Sequence, residues 1–144
     1  MYHRGHHVLL DYVIDTLPAA DELAAWLMNV LETAIRAQSI NIVHQHCEVF
    51  DGSASPPGFA AVLLLDESHC SAHCYSELGM LAIDVFSCGQ VACPKTTAVA
   101  DAVDAALRER FSVTRGDRSA CPRFPTSSAS PAPSSPAPSS PASS

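Results

Sequence analysis

The sequence predicts an α/β sandwich, one sheet with two helices on a single face, followed by a disordered C-terminal tail. Three observations point there. Short apolar runs rich in Val, Ile, Leu and Phe have the length and composition of strands. Two longer stretches repeat their apolar residues every three or four positions, the period of a helix buried on one side. From residue 127 onward only Ser, Pro and Ala occur, so nothing large can be buried to offset the entropy of ordering.

Taken in order, the first strand is read at His7–Ile14. A helix follows, with Leu23, Trp26, Leu27, Val30, Leu31, Ala34 and Ile35 on one stripe. Pro18 stands near its start, where a missing N–H costs little. Ser39–Phe50 has the character of a second strand, and Asp51–Gly58 is a loop by its Gly, Ser and paired Pro residues. Phe59–Leu65 is an unbroken apolar run, expected of a strand buried on both faces, and Leu81–Phe86 is another. Pro94 opens a second helix reaching Phe111, with Val99, Val103, Ala106 and Leu107 inward. The order is β-α-β-β-(β)-β-α, with the optional strand in Asp66–Glu77. Residues 1–111 form the expected domain, and 112–144 the expected tail, extended where proline is dense.

The formal net charge is −7; residues 112–144 hold three arginines and one aspartate, a net of +2, which leaves −9 for residues 1–111. Such a domain is a poor partner for nucleic acid, whose phosphates need Lys and Arg, and suits a small cationic ligand. Acidic surfaces also serve solubility alone. No stretch approaches the ~20 apolar residues of a membrane span, and the N-terminal run Val8–Leu10 is cut by Asp11 before it resembles a signal peptide. A cytoplasmic protein is expected, with its six cysteines as free thiols.

Between the last two apolar runs lies Asp66-Glu67-Ser68-His69-Cys70-Ser71-Ala72-His73-Cys74-Tyr75-Ser76-Glu77, dense in nucleophiles, acids and imidazoles. Reactive groups at the end of a buried strand are held firmly yet reachable. This segment, followed by Asp84-Val85-Phe86-Ser87-Cys88-Gly89 and preceded by the opening Gly5-His6-His7-Val8-Leu9-Leu10, resembles the short prokaryotic S-adenosylmethionine decarboxylase proenzymes over about residues 5–110.

The resemblance implies a chain that cleaves its own Glu67–Ser68 bond into fragments 1–67 and 68–144. Ser68 attacks the preceding carbonyl, the amide becomes an ester, and elimination then hydrolysis leave an N-terminal pyruvoyl group. His73 is the implied processing base, imidazole being suited to proton transfer near neutral pH. The pyruvoyl cofactor then forms a Schiff base with the substrate's α-amine and takes the electrons released with carbon dioxide. Cys88 is the implied proton donor. Glu77 matches an acid that contacts ribose, Phe50 an aromatic that stacks on adenine, and Cys70 stands where the family has a larger aliphatic beside the substrate. Two further departures are Ala60, in place of a serine that assists processing, and Tyr75-Ser76, in place of Trp-Pro. A homodimer with sites built from both chains is implied, making the aminopropyl donor for spermidine synthesis.

Several readings stay beside this one. Relatives acting on ornithine or arginine use the same pyruvoyl chemistry. A non-catalytic relative would not self-cleave, although it has little reason to keep Ser68, His73 and Cys88 together. His44, His46, His69 and His73, with Cys47, Cys70 and Cys74, invite a metal, yet no Cys-x-x-Cys pair occurs and no metal is expected. A serine hydrolase would need a Gly-x-Ser-x-Gly elbow that is missing.

Overall fold

Alternation of buried and exposed side chains along the strands decides the architecture. The computed structural model describes residues 3–66 and 68–125. Its elements are β1 (His3–Ile14), α1 (Ala20–Ala37), β2 (Ile42–Phe50), β3 (Gly58–Leu65), β4 (Ser68–Tyr75), β5 (Met80–Cys88), α2 (Ala92–Arg110) and β6 (Val113–Pro125), with one 3-10 turn at Ser76–Leu78. The strands form a six-stranded sheet in the order β2-β3-β4-β5-β1-β6, and every neighbouring pair is antiparallel.

In β4 and β5 every second side chain is buried. The buried set, with Val8, Leu10, Leu63, Ile83 and Val85 among it, packs in one core with Leu27 and Leu31 of α1 and Val99, Val103 and Leu107 of α2. Both helices therefore cover the same face. α1 carries Asp21 and Glu22 in its first turn and Arg36 in its last, each sign matched to the helix dipole. α2 begins at Ala92, two residues before Pro94. Proline is tolerated there because the N–H groups of the first turn have no intrahelical partner. Gly79, with φ +62°, joins the 3-10 turn to β5; a Cβ there would stand 2.3 Å from the carbonyl oxygen of Ile14.

The optional strand of the sequence order forms, as β4, and two expectations are corrected. Phe59–Leu65 is not buried on both faces: Val62 is 43% exposed and Leu64 49%, because helices cover only one side of the sheet. The expected tail from residue 112 instead supplies β6, which pairs with β1 from Ile14 back to His3. Its Arg, Ser, Gly and Pro content is poor strand material, and pairing holds it rather than propensity. Thr114 Oγ1 donates to the Val13 carbonyl at 3.0 Å, and Arg118 reaches Asp101 of α2 at 2.5 Å. An edge position also tolerates Pro122, since only one side must pair. Residues 126–144, the Ser/Pro/Ala segment, lie outside the described residues. Among the described residues no helix is long and apolar enough to cross a membrane, and all six cysteines are free thiols.

Candidate active site

The chemistry-bearing residues fall at two ends of the sheet. At one end Ser68 opens β4, directly after the turn from β3. Glu67, the other half of the expected cleavage site, lies outside the described residues. Ser68 points to the helix-covered face and is buried, at 7% exposure. Its hydroxyl donates to Ser87 Oγ at 3.4 Å and accepts from the backbone N–H of Cys88 at 3.3 Å. Ser87 Oγ in turn donates to the Cys88 carbonyl at 3.5 Å. Cys88 ends β5 and is half-buried; Gly89 follows with φ +89°, turning the chain toward α2. The structure thus sets Ser68 against the backbone of Cys88, whose side chain has the open-face parity of β5.

His73 is elsewhere. It lies five positions further along β4, roughly 16 Å at strand rise, and on the other face because the count is odd. It is exposed, and its cross-strand neighbours are Ala60 and Ala82. A serine at position 60 would have stood beside this imidazole. Phe50 and Tyr75 flank Gly58 in the next cross-strand row. Exposed Glu77, in the 3-10 turn, faces a concavity of about 610 Å³ walled by the Asp51–Pro57 loop. His73, Phe50 and Glu77 therefore share the end away from Ser68. Cys70 does not join either group. It is fully buried on the helix-covered side, its thiol pushed up to about 12 by burial and then by Asp84. Its expected place at the substrate is corrected to the core, because residue 70 has the parity of the inward side chains of β4.

Between the two ends, the open face carries a polar band that sequence reasoning missed. Asp84 accepts from Ser71 Oγ at 3.2 Å and lies 3.4 Å from His7 Nε2, close enough for an ion pair but without hydrogen-bond geometry, so that buried nitrogen has no hydrogen-bond partner. The rings of His7 and His69 both meet Phe86, and the Arg123 guanidinium of β6 lies 5.5 Å from the same ring. Burial, then the neighbouring His7, hold the His69 imidazole below its ordinary value. The only available signal for this band was parity: residues 69, 71, 84 and 86 fall on one face once the register is known. Arg123 carried none. His44 and His46 share the open face of β2, where His46 pairs with Glu48 at 3.2 Å. Among the described residues no three His, Cys, Asp or Glu side chains converge as metal ligands would.

Comparison with known proteins bears on the whole of this arrangement. A family profile described as S-adenosylmethionine decarboxylase matches residues 7–119. A protein of Methanococcus maripaludis named S-adenosylmethionine decarboxylase proenzyme is 32% identical over 93 residues, covering 65% of this chain and 72% of that one. Its namesake in Methanococcus aeolicus is 29% identical over 118 residues, covering 81% and 97% respectively. The crystal structure of adenosylmethionine decarboxylase from Aquifex aeolicus VF5 superposes with a TM-score of 0.67 at 24% identity, over 92% of this chain and 100% of that one. At that identity the likeness shows the fold.

Proposed function

Because this chain belongs to the S-adenosylmethionine decarboxylase family, we propose that it is made as a proenzyme, cuts itself between Glu67 and Ser68, and decarboxylates S-adenosylmethionine with the pyruvoyl group that Ser68 becomes. The product is the aminopropyl donor for spermidine synthesis. The observation that carries this reading is the setting of Ser68: a buried hydroxyl at the start of a strand, bonded to the backbone N–H of Cys88. An oxygen in that place finds a backbone N–H at 3.3 Å, a donor that a keto group could accept from. That group supplies the electron sink for loss of carbon dioxide. Cys88 delivers the proton that takes the place of the departed carboxylate.

His73 is too far from Ser68 of its own chain and on the wrong face to move protons there. We assign it to Ser68 of a second copy, whose β4 start would pack against the open face that carries His73. Val62, Leu64, Tyr75 and Met80 support such a contact, since each is apolar or aromatic and between 43% and 49% exposed on that face. The complete site then joins Ser68 and Cys88 of one chain to His73, Glu77 and Phe50 of the other. Phe50 and Tyr75 offer ring faces to a flat base, and Glu77 offers a carboxylate to ribose hydroxyls. A cationic sulfonium suits the acidic chain. A cytoplasmic site of action suits six unpaired thiols.

Intact mass of the purified protein under denaturing conditions tests the reading. Two species corresponding to 1–67 and 68–144, the second with a blocked terminus, are expected, and Ser68→Ala should give one whole chain. A wild-type chain that never cleaves overturns the proposal.

A further inference from the structure

The helix-covered face is largely apolar, apart from the Tyr12 hydroxyl, which donates to Asp104 at 2.9 Å, and one corner at the other end. Among the described residues the buried polar side chains are Ser68, Ser87 and Thr96, and all three gather at the Ser68 end. Ser87 lies across β5 from His6 of β1, and the His6 ring Nδ1 lies 2.5 Å from Thr96 Oγ1 in the first turns of α2. Thr96 gives its own hydroxyl proton to the Ala92 carbonyl at 2.9 Å, so it accepts from His6. Burying hydroxyls in an otherwise apolar core is costly unless each finds a partner. Such a concentration around one serine calls for a reason.

We propose that Ser87 is a positioning residue for self-cleavage, accepting the Ser68 hydroxyl proton so that a lone pair of Ser68 Oγ is left for attack; the inference rests on the proenzyme reading above. The geometry is a closed ring of bonds. The Cys88 N–H donates to Ser68 Oγ, the Ser68 hydroxyl donates to Ser87 Oγ, and the Ser87 hydroxyl donates to the Cys88 carbonyl. Ser87 has one proton and spends it on that carbonyl, so its lone pair faces Ser68. One Ser68 lone pair is occupied by the Cys88 N–H, its proton is tied to Ser87, and the remaining lone pair is free for attack. The bonds are long for their type, as expected of a precursor whose contacts tighten only as the reaction proceeds.

The step balances within the chain. A bond forms between Ser68 Oγ and the Glu67 carbonyl carbon, the bond from that carbon to the Ser68 nitrogen breaks, and the hydroxyl proton finishes on the freed nitrogen. Ser87 leaves the step unchanged. His73 of a second copy remains the base for the later elimination, so the two residues act at different steps.

The test is the rate of chain cleavage during cell-free synthesis of the full chain, followed by gel separation of the fragments, for wild type, Ser87→Ala and Ser87→Thr. Ser87→Ala should cleave about tenfold more slowly, the scale of one hydrogen bond to a reacting oxygen. Ser87→Thr, which restores the hydroxyl, should recover most of the rate. Cleavage of Ser87→Ala at the wild-type rate overturns the role, and so does equally slow cleavage of both variants, which would make the effect one of packing. A wild-type chain that stays whole would instead overturn the proenzyme reading on which the role depends.

Discussion

The two faces of the sheet do different work with the same strands. The helix-covered face is closed by α1 and α2 and holds Leu63, Ile83 and Val85 out of water, with a cluster of hydroxyls around Ser68. The open face carries His7, His69, His73 and Asp84 among apolar side chains that are half exposed. One strand, β4, contributes to both: Ser68 faces inward and His73 outward. A nucleophile and a base on opposite faces cannot meet within one copy, which is why the proposed site draws them from two.

The largest effect that would break this comparison comes from mixing inactive variants. Ser68→Ala and His73→Ala proteins should each be inactive alone. Co-expressed in equal amounts, they should recover about a quarter of wild-type sites, since about half the dimers are mixed and each mixed dimer holds one intact site. Measuring decarboxylase activity of the mixture decides it; no recovery would place both residues in one chain's site.

A smaller effect sharpens the contrast between faces. Leu63 is fully buried, whereas its neighbour Leu64 is 49% exposed on the open side. Leu63→Ala should lose about 2–5 kcal/mol in urea unfolding and Leu64→Ala under about 1 kcal/mol, both measured at low protein concentration. Equal losses would mean that the two faces are equally packed in solution.

The smallest effect concerns His69, held below its ordinary value of 6.5 by burial and His7, with Arg123 acting in the same direction and Asp84 opposing. For a depressed imidazole the unfolded chain binds a proton that the folded chain refuses. The contribution is therefore whole above pH 6.5 and is lost as pH falls below it. The urea midpoint should drop slightly between pH 7.5 and 5.5, and His69→Gln should reduce that drop. An unchanged drop would assign the dependence to another group.

Much of the fold was legible because strong periods announce themselves. The stripe of α1 read correctly, and the apolar runs of β3 and β5 were recognised as strands although each is buried on one face, not the two expected. β6 was not, because a strand such as Val113–Pro125 is specified by its neighbour rather than by its own residues. Chemistry followed the same rule. Ser68, His73 and Cys88 stood out as a motif, whereas Ser87 and Arg123 matter only through strands distant in sequence. Parity could have moved Cys70 into the core, but only with the register of β4 in hand.

The strand order carries a last consequence for the two fragments that cleavage would create. Residues 1–67 supply β1, β2 and β3, while residues 68–144 supply β4, β5 and β6. Because β1 is laid between β5 and β6, neither fragment can leave without tearing a strand from the middle of the sheet. Once cut, the protein is an interlocked pair, stable as long as it stays folded. Once denatured, it has to reassemble by a bimolecular encounter that the uncut chain never faces. Folding must therefore precede the cut, and the uncut chain is the form that can be refolded.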